Sequence, residues 1–410
     1  MRDRALRVIA ECASIAAMTE EPGRITRRFL SAPMHVVHAH LRERMEHMGL
    51  TVRVDAVGNL RGLWRPEGAT SKRLLMGSHV DTVPDAGAYD GVLGVAMALE
   101  WFGIAQELNA PIDIEVIAFS EEEGVRFGVP FIGSRAVAGR FDETLFDCTD
   151  SDGATLADAI RSFGLDPANV NEAVLDPSAI GFVEIHIEQG PMLEAEGLGL
   201  AAVTGIVGQT RLSLEFTGQT NHAGTTPMRL RHDALAAAAE WIAQVESLAQ
   251  ATDGLVATVG KVNVKPNAAN VVPGVADVSL DLRHAHDANR IAALEKLIES
   301  ANTIAERRCL ALQRTDHLNQ PAVPMDERLT SFLSDAIEAA GMTPMQMTSG
   351  AGHDAMVMAA RVPTAMLFLR SPGGLSHHPG ESVLEGDVEA ALQVGKKFLE
   401  RLAADAGQIR

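Results

Sequence analysis

Leu74-Leu75-Met76-Gly77-Ser78-His79-Val80-Asp81-Thr82-Val83-Pro84 begins as an unbroken apolar run and ends in side chains that ligate and titrate. The run reads as a buried strand, and Pro84 prevents its continuation. In an open α/β sheet the ends of such strands face the crevice where catalytic groups collect, which places His79 and Asp81 there. An isolated His-x-Asp can equally well satisfy loop hydrogen bonds, so the neighbouring clusters carry the reading. Asp90 opens the small-residue segment Gly91-Val92-Leu93-Gly94-Val95-Ala96-Met97-Ala98-Leu99. That segment can start a buried helix whose N-terminal dipole faces the same crevice, although Asp90 could also be a simple cap. Ile112-Asp113-Ile114-Glu115-Val116-Ile117-Ala118-Phe119 reads as a central strand running into Ser120-Glu121-Glu122-Glu123, where like charges need either solvent or cations. With His186 and His377 added, these clusters suggest a two-metal hydrolytic centre. Two divalent ions held about 3.5 to 4 Å apart need a bridging carboxylate and terminal imidazole and carboxylate ligands.

Periodicity supplies the organisation. Met34–Met48 suggests a helix ended by Gly49, followed by short strands at Thr51–Asp55 and Asn59–Trp64. Strands and helices then alternate through His186, so the class is α/β. From about Gln209 the order becomes strand Leu212–Phe216, helix Arg231–Ala249, strand Leu255–Val264, strand Val275–Leu282 and helix Asp287–Arg307. That order suggests a small sheet with two helices on one face, inserted into the larger domain. Helix Glu327–Ala340 and strand Thr364–Leu369 return to the first domain, so His377 comes from its second half.

Composition narrows the class. The 410 residues, 46% hydrophobic and 22% charged, suffice for a large core and two domains. A net charge of -19 argues against a nucleic-acid partner and would repel an anionic substrate unless a local cation offsets it. Cys12, Cys148 and Cys309 are few, odd in number and far apart, as expected of reduced thiols in the cytoplasm. Met1-Arg2-Asp3-Arg4 is followed by no secretory apolar region, because Glu11 interrupts the only candidate. No segment reaches transmembrane length, so no membrane partner is expected.

Several motifs occur in a specific order. They are Gly77-Ser78-His79-Val80-Asp81-Thr82, Tyr89-Asp90-Gly91, Glu122-Glu123-Gly124-Val125-Arg126-Phe127 and Glu184-Ile185-His186-Ile187-Glu188-Gln189-Gly190. After them come His222-Ala223-Gly224-Thr225-Thr226-Pro227-Met228, Asn270-Val271-Val272-Pro273-Gly274, Ala351-Gly352-His353-Asp354-Ala355 and Ser376-His377-His378-Pro379-Gly380-Glu381. Essentially end to end, this order resembles the M20 metallopeptidase and amidohydrolase family. Within that family it is most similar to the ureido hydrolase branch of allantoate amidohydrolases and N-carbamoyl-L-amino acid hydrolases.

The resemblance implies a zinc-peptidase-like mixed-sheet catalytic domain, residues 1–208 and 319–410, with an inserted α+β four-stranded dimerisation (lid) domain, residues 209–318. Only three strands of that small sheet are legible; the fourth comes with the resemblance, as does a homodimer. Two divalent metal ions per subunit, Mn²⁺ or Zn²⁺, are implied. His79, Asp90 and Glu123 are then ligands, with Asp90 bridging, His186 on one ion and His377 on the other. Glu122 is the implied general base, the triple glutamate leaving Glu121 as the alternative, and His378 is the alternative to His377. Asp81 would hydrogen-bond His79 and fix its tautomer. The residue matching His222 stabilises the oxyanion in relatives, often in the partner subunit's site. Arg283 resembles the residue that grips the substrate carboxylate, its alternative being a salt bridge to Asp281 or Asp277. Gln209, Asn270 and Gly352 would hydrogen-bond the substrate.

The substrate so implied is a small ureido carboxylate. Two nitrogens donate into a urea-type carbonyl, so its hydrolysis needs both a polarised oxygen and a strong nucleophile, which metal ions supply. Gly23-Arg24-Ile25-Thr26-Arg27-Arg28-Phe29-Leu30 and Met366-Leu367-Phe368-Leu369-Arg370 resemble the allantoate branch, as does Asp81-Thr82-Val83-Pro84 followed by Tyr89-Asp90. The expectation is hydrolysis of allantoate to ureidoglycine, ammonia and carbon dioxide, with an N-carbamoyl-L-amino acid hydrolase as the alternative.

Overall fold

The computed structural model describes residues 1–69 and 72–408. The chain divides into two compact units, Met1–Thr204 with Pro324–Arg410, and Gly205–Val323.

At the centre of the first unit, strands Arg73–His79 and Asp113–Phe119 are buried at every position. They run parallel, Leu74 opposite Ile114 and His79 opposite Phe119. Ala179–Ile187 pairs parallel on the other side of Arg73–His79, and Thr364–Leu369 continues the parallel block beyond it. Burial on both faces explains the continuous apolar runs. Each fully buried side chain such as Leu74, Ile114 or Ile185 contributes about 1.5–3 kcal/mol. Thr51–Val54, Leu60–Trp64 and Leu200–Ile206 add antiparallel margins, and with two short strands they complete a mixed nine-stranded sheet. The four parallel strands end along one edge, and the segments that follow them carry Asp81, Glu121–Glu123, Glu188 and His377.

Helix Val92–Glu107 is buried almost throughout and lies against that sheet. A Cβ on Gly94 would fall 2.2 Å from the Ile185 carbonyl oxygen and 2.6 Å from Ser78 Cβ, so a bare backbone is needed for this approach. The helix carries one buried carboxylate, Glu100, which receives hydrogen bonds from Arg4, Arg7 and Arg44. Those arginines tie helices Arg2–Ala16 and Ala32–His47 to it. No helix among the described residues is long and apolar enough to cross a membrane. All three cysteines are free thiols.

In the second unit, strand Gly208–Thr217 pairs antiparallel with Val275–His284, Leu214 opposite Val278. Leu212, Leu214 and Phe216 alternate with polar residues, and so do Ala276, Val278, Leu280 and Leu282. All seven point into one core with Trp241 of helix Ala234–Gln250 and Leu297 of helix Asp287–Arg307. Both helices therefore cover the same face. This sheet has five strands rather than four. The segment expected as one strand over Leu255–Val264 is broken into Val256–Thr258 and Val262–Lys265. Thr258 pairs with Asp281 and Val262 with Val278, so one strand carries an extra residue there, and the ladder is interrupted beside Gly260. The strand that the sequence concealed is Ala311–Gln320, which pairs with Gly208–Thr217 at the sheet's margin. Its side chains are mostly exposed and polar, so it has no apolar alternation to reveal it. The unit is also a few residues wider at each end than 209–318, because its strands start at Gly208 and end at Gln320.

Candidate metal centre

His79 is the last residue of its strand, and the chain returns across its ring at Gly91. Gly91 has φ +68, and a Cβ there would lie 2.5 Å from three atoms of the imidazole. Only glycine tolerates both conditions. His79 Nδ1 is 3.0 Å from the carbonyl oxygen of Asp81. A carbonyl only accepts, so Nδ1 carries the proton and the Nε2 lone pair points inward. His186 repeats the arrangement, with Nδ1 2.9 Å from the Ile187 carbonyl oxygen. The two Nε2 atoms lie 3.5 Å apart, and they are 3.6 and 3.2 Å from Asp90 Oδ1.

Asp90 faces two ways. Oδ1 is buried and receives no hydrogen bond. Oδ2 lies 3.2 Å from His377 Nε2, and that nitrogen is 3.5 Å from Glu123 Oε1. Among the described residues, ligand atoms fall within 4.8 Å of one another in three groups: His79, Asp90, His186; Asp90, Glu123, His377; and His79, Glu122, Glu123. Two imidazole lone pairs aimed at an unpartnered carboxylate oxygen repel unless a cation lies among them. The mixed nitrogen and oxygen donors fit Zn²⁺ or Mn²⁺, and the two oxygens of Asp90 serve different groups, as a bridging carboxylate would. The residues present thus fit a divalent-cation centre.

The local charges agree. Burial opposes ionisation of Asp90, but His186, His377 and His79 hold its carboxyl well below the usual range. Burial pushes Glu122 well above the ordinary glutamate range, against the pull of His79. Glu123 is raised to about 7, first by burial and then by the charge of Asp90. Burial would also discharge His79, yet Asp81 and Asp90 raise its pKa well above the usual value. Without a cation, this centre retains protons that a divalent ion would replace.

Asp81 meets His79 through its backbone. Its carbonyl, rather than its carboxylate, makes the shorter contact to His79; Oδ1 stands 3.5 Å from Nδ1. The carboxylate instead accepts the backbone N–H of Glu122 at 3.0 Å and of Glu123 at 3.1 Å. One side chain therefore positions the neighbouring pair of glutamates. Glu121, fully buried with both oxygens lacking partners, belongs to none of the three groups among the described residues. His378 is also outside them, its Nδ1 accepting from Gly380 N at 2.9 Å.

Several further residues support the centre without a role legible in the sequence. Glu381 Oε1 accepts the backbone N–H groups of Tyr89 (2.8 Å) and Asp90 (3.0 Å), and Oε2 takes the Ser376 hydroxyl at 3.2 Å. Its position at the end of Ser376-His377-His378-Pro379-Gly380-Glu381 was the available signal. His353 packs edge-on to His186, ring centroids 4.4 Å apart, and burial holds its pKa well below the usual value. It thus packs as a neutral ring against His186. Glu184 joins Ser78 Oγ to Ala355 N, each at 2.7 Å.

The first unit thus brings together His79, Asp81, Asp90, Glu122, Glu123, His186 and His377. Gly352 is in the same unit, where a Cβ would lie 2.9 Å from Phe131 Cζ. His222, Gln209, Asn270 and Arg283 belong to the second unit. His222 Nδ1 accepts from Gly224 N (3.1 Å) and Thr225 N (3.2 Å), leaving Nε2–H as an exposed donor. Asn270 is exposed, and its backbone carbonyl accepts Ala223 N–H at 3.0 Å. Arg283 forms a two-pronged pair with Asp281, at 2.8 and 2.9 Å, and Gln209 Nε2 donates to the same carboxylate at 2.8 Å. The salt-bridge alternative for Arg283 is therefore present, with Asp281 as the partner.

Residues 75–403 match the family described as Peptidase family M20/M25/M40. The chain is 38% identical over 440 residues to a probable allantoate deiminase of Oryza sativa subsp. japonica, covering 96% of this chain and 87% of the relative. It is 36% identical over 379 residues to an N-carbamoyl-L-amino acid amidohydrolase of Geobacillus stearothermophilus, covering 91% and 92%. A solved hydantoinase/carbamoylase family amidase from Burkholderia multivorans superposes with a TM-score of 0.91 at 30% identity, covering 97% of each chain.

Proposed function

Because the chain belongs to the M20/M25/M40 peptidase family, we propose that its centre cleaves the ureido carbon–nitrogen bond of allantoate. It is a hydrolase of carbon–nitrogen bonds other than peptide bonds. The products are ureidoglycine, ammonia and carbon dioxide, one water being consumed. The observation that carries this reading is Asp90, whose buried Oδ1 faces two imidazole lone pairs while Oδ2 faces His377. His79, Asp90 and His186 would hold one divalent cation, and Asp90, Glu123 and His377 a second, either Mn²⁺ or Zn²⁺. Bound there, such ions supply Lewis acidity that polarises a carbonyl and lowers the pKa of water.

The chain's own residues do the rest. Glu122, raised in pKa by burial, takes the proton of the attacking water and delivers it to the leaving nitrogen. Asp81 holds the backbone of Glu122 and Glu123 so that base and ligand keep one geometry. His222 offers Nε2–H to the developing oxyanion; a preorganised donor of this kind is worth about 2.7–4 kcal/mol. Arg283 exchanges its pair with Asp281 for the substrate carboxylate, and Gln209, Asn270 and the Gly352 backbone hydrogen-bond the ureido or carboxylate groups.

We assign the second unit to homodimer formation, supported by the exposed strand Ala311–Gln320 at its sheet margin. Three free cysteines support a cytoplasmic location. The comparable identity to an N-carbamoyl-L-amino acid amidohydrolase favours that activity as the second reading, since both substrates expose the same bond. Measured kcat/KM for allantoate beside a panel of N-carbamoyl-L-amino acids separates the two. Preference for a carbamoyl amino acid would replace the substrate and keep the chemistry.

A further inference from the structure

Gln189 has no part in the chemistry above, yet it touches the bridging carboxylate. Its amide nitrogen donates to Asp90 Oδ2 at 2.9 Å and to Ser376 Oγ at 3.1 Å. The same nitrogen stands 3.5 Å from His377 Nε2. The other end of the amide, Oε1, is buried without a hydrogen-bond partner, a cost that a residue serving only to fill space would avoid. Its backbone is left-handed at φ +58 and is anchored by an N–H to Ser371 Oγ bond of 3.0 Å. Strain of this kind persists where the surroundings hold a side chain in place.

The two cation positions are supported unequally. Around Asp90 Oδ1, both imidazoles are buried and locked by carbonyl acceptors. Around Oδ2, the His377 side chain is 49% exposed and its backbone is left-handed at φ +54. The inner position is thus fixed by its own ligands. The outer position depends on whatever holds Oδ2.

We propose that Gln189 is a positioning residue for the outer cation: with Ser376, whose Oγ is also 3.2 Å from Asp90 Oδ2, it pins that oxygen so that the remaining lone pair faces Glu123 and His377. The outer cation is accordingly the exchangeable one, and its affinity is set by an amide that does not ligate it. The inference rests on the two-cation reading and adds an order of occupancy to it.

The test is equilibrium dialysis of the cation-free full chain against Mn²⁺, with free Mn²⁺ counted by electron paramagnetic resonance. The parent binds two Mn²⁺ per chain, one more tightly than the other. Gln189→Met keeps length and volume but removes both donors. It leaves the tight step unchanged and weakens the second by roughly tenfold or more, the loss expected for one hydrogen bond to a charged group. Equal weakening of both steps, or no change in the second, overturns the proposal. Ser376→Ala removes the acceptor that orients the amide. It carries the same expectation should Gln189→Met fail to fold, and an unchanged second step in it is equally contrary. A parent that binds fewer than two Mn²⁺ overturns the two-cation reading and the inference with it.

Discussion

Asp81→Asn probes how Glu122 and Glu123, the proposed base and cation ligand, are held together. In the parent, the Asp81 carboxylate accepts Glu122 N–H at 3.0 and 3.1 Å and Glu123 N–H at 3.1 Å, and it is 1% exposed. Hydrogen bonds to a charged acceptor contribute about 1.5–3 kcal/mol each. Asparagine keeps one acceptor oxygen and turns an NH₂ group towards the other donor, so about one such bond is lost and a buried N–H is left facing another donor. The loop carrying Glu122 and Glu123 must then shift. Disturbing a supporting group of this kind typically costs ~10- to 100-fold in cation affinity or activity. The assay is ammonia release from saturating allantoate, with bound cation counted in the same samples. Turnover and cation retention both within about twofold of the parent would refute the assignment of Asp81 as the common support.

Glu122→Gln should lose about 10²- to 10⁴-fold in turnover while retaining its cations, whereas Glu123→Gln should lose cations first; elemental analysis beside kinetics distinguishes them, and reversed phenotypes would exchange the roles. Arg283→Ala should raise KM for ureido carboxylates far more than for the corresponding amides, and equal changes for both would remove it from carboxylate binding. The cation-free protein should be destabilised by raising the pH. Glu123 is raised to about 7 by burial and by Asp90, so its protonated carboxyl favours the folded chain. That contribution is full below the ordinary glutamate pKa and is lost as the pH climbs through about 7. Melting of the chelator-treated chain between pH 5 and 8 reads this directly, and a melting temperature that rises over that range would contradict the sign.

Where local pattern and buried chemistry coincide, the sequence was legible. The apolar runs ending at His79 and Phe119 named the central parallel strands because both faces are covered. Helix Asp287–Arg307 and strand Thr364–Leu369 were read with their observed ends. Strand Ala311–Gln320 escaped because a marginal strand facing solvent carries no apolar alternation. The break near Gly260 escaped because a one-residue offset in pairing leaves no mark on composition. At the centre, the imidazoles and carboxylates that gather around Asp90 could be named from residue type and order. What Asp81 holds could not, since its partners are backbone N–H groups that every residue possesses. Gln189, Ser376 and Glu381 were likewise visible in the motifs but silent in function, because their contacts to Asp90 span up to 291 residues of chain.

Ammonia release from allantoate, followed as Mn²⁺ is returned stepwise to the chelator-stripped chain, decides whether the centre works through two cations. Turnover should be absent without cation and full only as the second cation per chain binds, with one ammonia per ureidoglycine formed. Turnover that ignores the cation, or its absence with both cations bound, would contradict the two-cation reading.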